Sequence, residues 1–182
     1  LINYVWQVSQ VTHASDIAIA GAAMIAGAVS SAMEKKSWNE IMHDTIMIYN
    51  KAIGYGTETF TPSLKARLKL GLTYAEQFSN DEDVFADHIY DVIGAGVQTS
   101  ESVPAALSIA YYTKTVERCA VFCANLGGDT DTIGAMATAI CGAKQGVDKI
   151  NKDYIRIIDE NNQVDFNHYT QYLLKFREDV GG

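Results

Sequence analysis

Two carboxylates and two hydroxyls fall on four consecutive residues, Asp129-Thr130-Asp131-Thr132. They stand where the turn Asn125-Leu-Gly-Gly128 gives way to an apolar run, with Ile133, Met136, Ala137 and Ile140 at helical spacing. The pattern predicts a helix whose first turn carries four side-chain oxygens. One oxygen is enough to cap a helix. Clustered carboxylate and hydroxyl oxygens are also the ligands that hard cations such as Mg²⁺ or Mn²⁺ require. Two readings therefore stand side by side. In one, Asp129 or Thr130 caps the helix and Asp131 complements its dipole. In the other, Asp129, Asp131 and Thr132 hold a metal. The positive end of a helix repels cations, so such a site needs more than one carboxylate, and two are present. Gly127 and Gly128 tolerate positive φ and a close backbone approach, which suits a ligand-binding turn.

Other polar residues read more simply by themselves. His13 sits beside Thr12 at the entrance to a helix, a common capping-region placement. His43, His88 and His168 lie in helical segments rich in Asp, Asn and Tyr and read as surface or boundary residues. Gly94-Ala-Gly96-Val97 reads locally as a helix terminator and turn. Glu101 and Ser102 precede Pro104 and read as caps of the helix it opens. Tyr111 and Tyr112 read as core. Cys119 and Cys123, four apart and in line with Val116 and Ala120, read as lining a helix core, and an odd count of three cysteines fits a reducing cytoplasm.

The elements that must position these groups are helices throughout, and the predicted fold class is all-α, a compact multi-helix domain with short loops. A helix over 14–33 opens the ordered core. Ser37-Trp-Asn-Glu40 is a capping box, followed by the stripe Met42, Ile46, Tyr49 and Ile53 and a stop at Gly54 and Gly56. Thr61-Pro62 starts the next helix, with Leu64, Leu68, Leu72 and Ala75 on its face. Ser79-Asn-Asp81 breaks the chain before a helix over 82–93. Ser102 and Pro104 open another, 115–124 leads into the acidic turn, and two weaker helices lie near 149–159 and 167–178. Ala18, Ala22 and Ala26 repeat every four residues, as do Gly134, Thr138 and Gly142. These small rows predict that the two helices pack closely, bringing His13 and Asp129 into one neighbourhood.

Composition sets outer limits. Of 182 residues, 48% are hydrophobic and 20% charged, which describes a folded globular chain. Fourteen basic against 22 acidic residues give a net charge of −8, which argues against nucleic-acid and anionic-membrane partners. The apolar run Ile17–Val29 falls short of the roughly 20 residues of a membrane span and reads as a buried helix.

Asn125-Leu-Gly-Gly-Asp-Thr-Asp-Thr-Ile-Gly-Ala135, with Gly142-Ala-Lys-Gln-Gly146 after it, resembles the C-terminal signature of the ADP-ribosylglycohydrolase family. That family takes in the dinitrogenase-reductase-activating glycohydrolases, the ADP-ribosylarginine hydrolases and jellyfish crystallin relatives. Two further stretches match in order. Thr12-His13, with Ala18 and Gly21-Ala-Ala23 behind it, is similar to the family's Thr-His turn. Gly94-Ala-Gly-Val-Gln-Thr-Ser-Glu-Ser-Val-Pro-Ala-Ala-Leu107 is similar to its Gly-x-Gly … Ser-Val-Pro-x-Ala-Leu segment.

The resemblance implies a metal-dependent hydrolase that cleaves the glycosidic bond between ADP-ribose and a protein or small-molecule acceptor. It implies two Mg²⁺ or Mn²⁺ ions with Asp129, Asp131 and Thr132 among their ligands. His13, Gly94, Gly96, Val97, Gly127 and Gly128 would border the bound ADP-ribose. The family's opening Gly-Asp-Ala-x-Gly-type segment and Thr-Asp-Asp-type cluster do not occur before Thr12. Residues 1–182 are thus read as a single domain that is the C-terminal portion of a larger one, with the catalytic residue and the other metal ligands in a preceding segment. The expectation is a cytoplasmic protein inactive without that segment. The rival expectation is a non-catalytic, crystallin-like member that keeps the fold.

Overall fold

The computed structural model describes residues 1–180, with side chains described through residue 176. Among the described residues there are ten α-helices and no strand. In order they are α1 (Ile2–Ser9), α2 (Asp16–Met33), α3 (Trp38–Ala52), α4 (Leu64–Gln77), α5 (Glu82–His88), α6 (Thr99–Thr113), α7 (Val116–Leu126), α8 (Thr130–Gln145), α9 (Lys152–Asn161) and α10 (Phe166–Val180). A π-helical turn, Ile89–Gly94, prolongs α5, and a 3-10 turn spans Val147–Lys149. Two compact units result, Leu1–Val147 and Asp148–Gly182, where the sequence reading has one domain. The second unit is α9 and α10. Asn151 starts α9, its Oδ1 accepting from the Asp153 N–H at 2.9 Å.

The first unit is built around α6. Its sequence Ser-Val-Pro-Ala-Ala-Leu-Ser-Ile-Ala is small or apolar on every side, and a helix of that kind must be covered all round. Residues 102–110 are all buried, with α2, α4, α7 and α8 packed against them. Phe85 anchors α5 to this core by stacking on Tyr112, ring centres 4.0 Å apart, and full burial of such a side chain contributes about 1.5–3 kcal/mol.

Several boundaries come from local chemistry. Ser37 and Glu40 form the capping box, the Glu40 N–H donating to Ser37 Oγ at 3.3 Å and the Ser37 N–H to Glu40 Oε2 at 2.8 Å. The start of α4 is later than Thr61-Pro62 suggests. Ser63 caps it, its Oγ accepting from Ala66 N–H, because a serine hydroxyl satisfies a free amide where a proline only avoids needing one. α1 carries no start or stop signal and was not expected.

Helix α6 also departs from expectation. Gln98 precedes it and Pro104 lies six residues inside, so neither Ser102 nor Pro104 opens it. Proline lacks an N–H, which leaves the Ser100 carbonyl, four residues back, without its helical donor. Arg67 of α4 fills the gap, Nη1 donating to Ser100 O at 2.8 Å. Ser100 is 3% exposed, so water cannot do this instead.

By length and composition α2 could cross a membrane, with a mean hydropathy of 1.6, yet more than half of it is buried against α1, α3, α6 and α8. It packs beside α8, as the small-residue rows suggested, though through different surfaces. Gly21 faces Thr99 and Val103 of α6, and Gly27 faces Ile48 of α3. Gly134 and Gly142 face Cys123 and Val116 of α7. The Ala18, Ala22 and Ala26 row lines an open cleft instead of meeting α8 directly. At the far ends, Lys35 Nζ donates to Lys144 O at 3.4 Å and Lys144 Nζ donates to Lys35 O at 3.2 Å, so α2 and α8 run side by side in the same direction.

Candidate active site

Helix α7 ends at Leu126, and Gly127 (φ +86°) and Gly128 (φ +71°) turn the chain into α8. At Gly128 the need for glycine is physical. A Cβ there would lie 2.1 Å from the Ala95 carbonyl oxygen, a backbone atom that cannot swing away. The Asp129 N–H donates to that same oxygen at 2.7 Å. The acidic turn is thus docked, backbone to backbone, on the loop that follows the π-helical turn.

Glu101 braces that loop from the other side. Its Oε2 accepts from Gly96 N–H at 3.0 Å, and a Cβ on Gly94 or Gly96 would strike the Glu101 side chain. Gly94 also has φ +95°. Glu101 therefore does not cap α6, as its place before Pro104 suggested, but braces the neighbouring loop. Its placement is a tertiary fact, signalled only by two glycines five to seven residues upstream.

Asp129 occupies the N-cap position of α8 but caps no amide. Its Oδ1 accepts the Thr132 hydroxyl at 2.9 Å. The Asp131 carboxyl is held below its usual range, first by a hydrogen bond shared with Asp129, then by the N–H groups of Thr132 and Asp131. Asp129, Asp131 and Thr132 thus stand together in the first turn of α8, with the Thr132 hydroxyl in direct contact with the Asp129 carboxylate. The donor set is hard oxygen, the kind Mg²⁺ and Mn²⁺ take. Its number is short, since no group of three or more His, Cys, Asp or Glu side chains among the described residues could hold an ion.

Thr132 opens onto a cleft of about 540 Å³ that His13 also lines. The first turns of three helices meet there: Ala18 of α2, Thr99 of α6 and Thr132 of α8. Each helix start presents the positive end of its dipole, which favours an anion, although the first-turn amides of α2 are already bonded to Thr57 O, Asp16 Oδ1 and Ser15 Oγ. The remainder of the lining is largely apolar, with Ala22, Ile25 and Met136. His13 is exposed, its Nδ1 3.0 Å from Thr12 Oγ1.

Of the six residues expected to border a substrate, His13 and Val97 line this cleft with Thr132. The others do not. Gly94, Gly96 and Gly128 line a second cleft of about 360 Å³ with Arg67 and Glu101. Gly127 lines a third, of about 510 Å³, with Asp83, Asp87 and Asn125. Close packing meets each of these three glycines, Gly128 on the Ala95 backbone and Gly94 and Gly96 on the Glu101 side chain. Cys119, Cys123 and Cys141 are buried and unpaired between α6, α7 and α8. Contact with Cys119 and burial push the Cys123 and Cys141 thiols up, as inert core thiols should be.

The ADP-ribosylglycohydrolase family model matches residues 1–179, which take in every helix that lines this cleft. The chain belongs to the ADP-ribosylglycohydrolase family. It is 46% identical over 171 residues to the uncharacterized protein YegU of Escherichia coli (strain K12), a match covering 93% of this chain and 51% of that protein. It is 30% identical over 166 residues to the ADP-ribosylhydrolase ARH3 of Xenopus tropicalis, covering 82% of this chain and 47% of that one. With the human ARH3 the figures are 26% over 170 residues, 80% and 45%. The chain spans about half the length of the curated relatives it matches.

Proposed function

We propose that this chain forms part of a metal-dependent hydrolase that removes ADP-ribose from a modified protein or small molecule by cleaving a glycosidic bond. Membership of the family supports ADP-ribose hydrolysis in general. One observation carries the finer reading: Asp129, Asp131 and Thr132 stand together at the start of α8, and Thr132 shares a cleft with His13 and two other helix starts.

In this reading Asp129, Asp131 and Thr132 hold one face of a site for Mg²⁺ or Mn²⁺, two ions in all, and the balance of the ligands comes from residues outside this chain. Bound there, the metal supplies Lewis acidity and a charge that orients ribose hydroxyls and water. The chain's own residues do the rest. The positive dipole ends of α2, α6 and α8 attract the diphosphate. The His13 imidazole donates a hydrogen bond to a ribose hydroxyl or phosphate oxygen. The carboxylates of Asp129 and Asp131 stabilise the positive charge that develops on the sugar as the bond breaks. The working compartment is the cytoplasm, and the partner is an ADP-ribosylated protein or an ADP-ribose conjugate.

The test is turnover of an ADP-ribosylated peptide with excess Mg²⁺ or Mn²⁺. We expect activity when the chain is part of a protein of the relatives' length, its loss in Asp131→Asn, and little or none from residues 1–182 alone. Full activity from these residues by themselves would show that no outside ligands are needed. Unchanged activity in Asp131→Asn would remove the metal assignment.

A further inference from the structure

Asp16 is the only carboxylate among the described residues that is buried, at 9% exposure. Burying a carboxylate costs several kcal/mol unless it is well hydrogen-bonded. Capping does not require it, because Ser15 Oγ already accepts from Ala18 N–H at 3.3 Å to start α2. Asp16 Oδ1 instead accepts its neighbour's N–H (Ile17, 2.7 Å) and the hydroxyl of a residue 43 positions away, Thr59, at 2.6 Å.

Thr59 belongs to the segment 54–63 that joins α3 to α4, and this segment grips the His13 region at three points. Tyr55 packs on Trp6 of α1, ring centres 5.9 Å apart. Thr57 accepts from Asp16 N–H at 2.9 Å and donates to Ala14 O at 2.8 Å. Thr59 then holds the Asp16 side chain. Gly56 makes the approach possible: it has φ +84°, and a Cβ on it would lie 2.5 Å from Ala14 O. Residues 10–14, by contrast, are exposed, and the amides of Thr12 and His13 bond only back to Ser9.

We infer that Asp16, acting through Thr59 and the 54–63 strap, is a positioning residue that holds His13 at the wall of the cleft. The inference rests on the reading of that cleft as the ADP-ribose site. Asp16 touches no ligand; its carboxylate fixes the strap, and the strap fixes the turn. If loss of the carboxylate leaves the turn in place about a tenth of the time, apparent affinity falls about tenfold with no contact to the ligand removed.

The experiment combines amide hydrogen exchange with ADP-ribose titration on a protein of the relatives' length that carries this chain unchanged, with Asp16→Ala or with Asp16→Asn, each with and without His13→Ala. In Asp16→Ala the amides of Asp16 and Thr57 should exchange at least about tenfold faster while those of Met24 to Ala28 keep their protection. ADP-ribose affinity should fall about tenfold, recover in Asp16→Asn, whose amide oxygen still accepts both bonds, and show no further fall in the His13→Ala background. Protected Asp16 and Thr57 amides in Asp16→Ala, or an equal loss of affinity when His13 is already absent, would overturn the inference. If Asp16→Ala does not fold, Thr59→Val removes the same long-range bond and must give the same pattern. No ADP-ribose binding by the protein that carries the chain unchanged, or none lost in His13→Ala, counts against the functional reading instead, and the exchange arm separates the two failures.

Discussion

Replacing Arg67 by methionine should destabilise the first unit by an amount that depends on Pro104. Methionine keeps an apolar stem, so packing along α4 is largely preserved while the guanidinium is lost. The Ser100 carbonyl then has no donor from Pro104 and none from α4, in a residue only 3% exposed. A buried acceptor left unsatisfied costs about 1–3 kcal/mol, and bonds from charged donors contribute about 1.5–3 kcal/mol. Arg67 is half-buried, so some water can follow its removal, and a cost of about 2 kcal/mol is expected. With a urea m-value of about 2 kcal/mol/M, the unfolding midpoint falls by about 1 M. Pro104→Ala restores an N–H four residues after Ser100, which makes the arginine redundant. Arg67→Met in that background should then cost no more than about 0.5 kcal/mol, a coupling of about 1.5 kcal/mol across the cycle. Urea unfolding of the four proteins, followed by far-ultraviolet circular dichroism, reads it directly. Equal costs with and without Pro104 would refute the argument that the proline creates the need for the arginine.

Asp131→Asn should weaken Mn²⁺ binding, measured by titration calorimetry or electron paramagnetic resonance, far more than it shifts the thermal midpoint, since the side chain is exposed at a helix start. Gly128→Ala should cost about 1–3 kcal/mol or more, because it combines a positive φ with a backbone clash against Ala95, and it should loosen the Asp129 amide in hydrogen exchange. Lys36 and Ser31 hold the Asp44 carboxyl below its usual range, so its contribution to stability is present above the unfolded carboxylate range and is lost as pH falls through the lower folded value. Asp44→Asn should therefore lower the melting midpoint at neutral pH and match the unchanged chain at about pH 2.

Much of this was legible in the residues. The capping box at Ser37, the break at Ser79–Asp81 and the helix behind Asp129 are written in local chemistry, and each element appears where its signals stand. What the sequence concealed was docking. Glu101 reads as a cap of the helix that Pro104 opens, and only the fold shows that it meets Gly96. Gly94, Gly96 and Gly128 look like ligand-contact glycines, and the residues give no sign that Gly128 also meets the Ala95 backbone or that Gly94 and Gly96 also meet Glu101. Arg67 lies on a helix whose apolar face gives no hint that it serves a proline 37 residues away. α1 was missed because no cap marks its start and its stability comes from packing on α2. Local pattern reports what a segment does by itself; it is silent about which backbone another segment will lean on.

The paired lysines at the ends of α2 and α8 bear on how the cleft can move. The Lys35 ammonium sits on a carbonyl in the last turn of α8, where the dipole is negative, and the Lys144 ammonium on the Lys35 carbonyl just past the end of α2, so two like charges become a clasp. At the other end the start of α8 is tied to the loop after the π-helical turn, through the Asp129 N–H and Ala95 O. Thr132 lies 12 residues from Lys144, about 18 Å along the axis. A tilt of about 5° at the clasp carries Thr132 about 1.5 Å, while the clasp itself stays nearly still. Movement of that size would stretch the bond from Asp129 to Ala95, so the lysine pair at one end and the Asp129 amide at the other brace the wall of the cleft that carries Thr132.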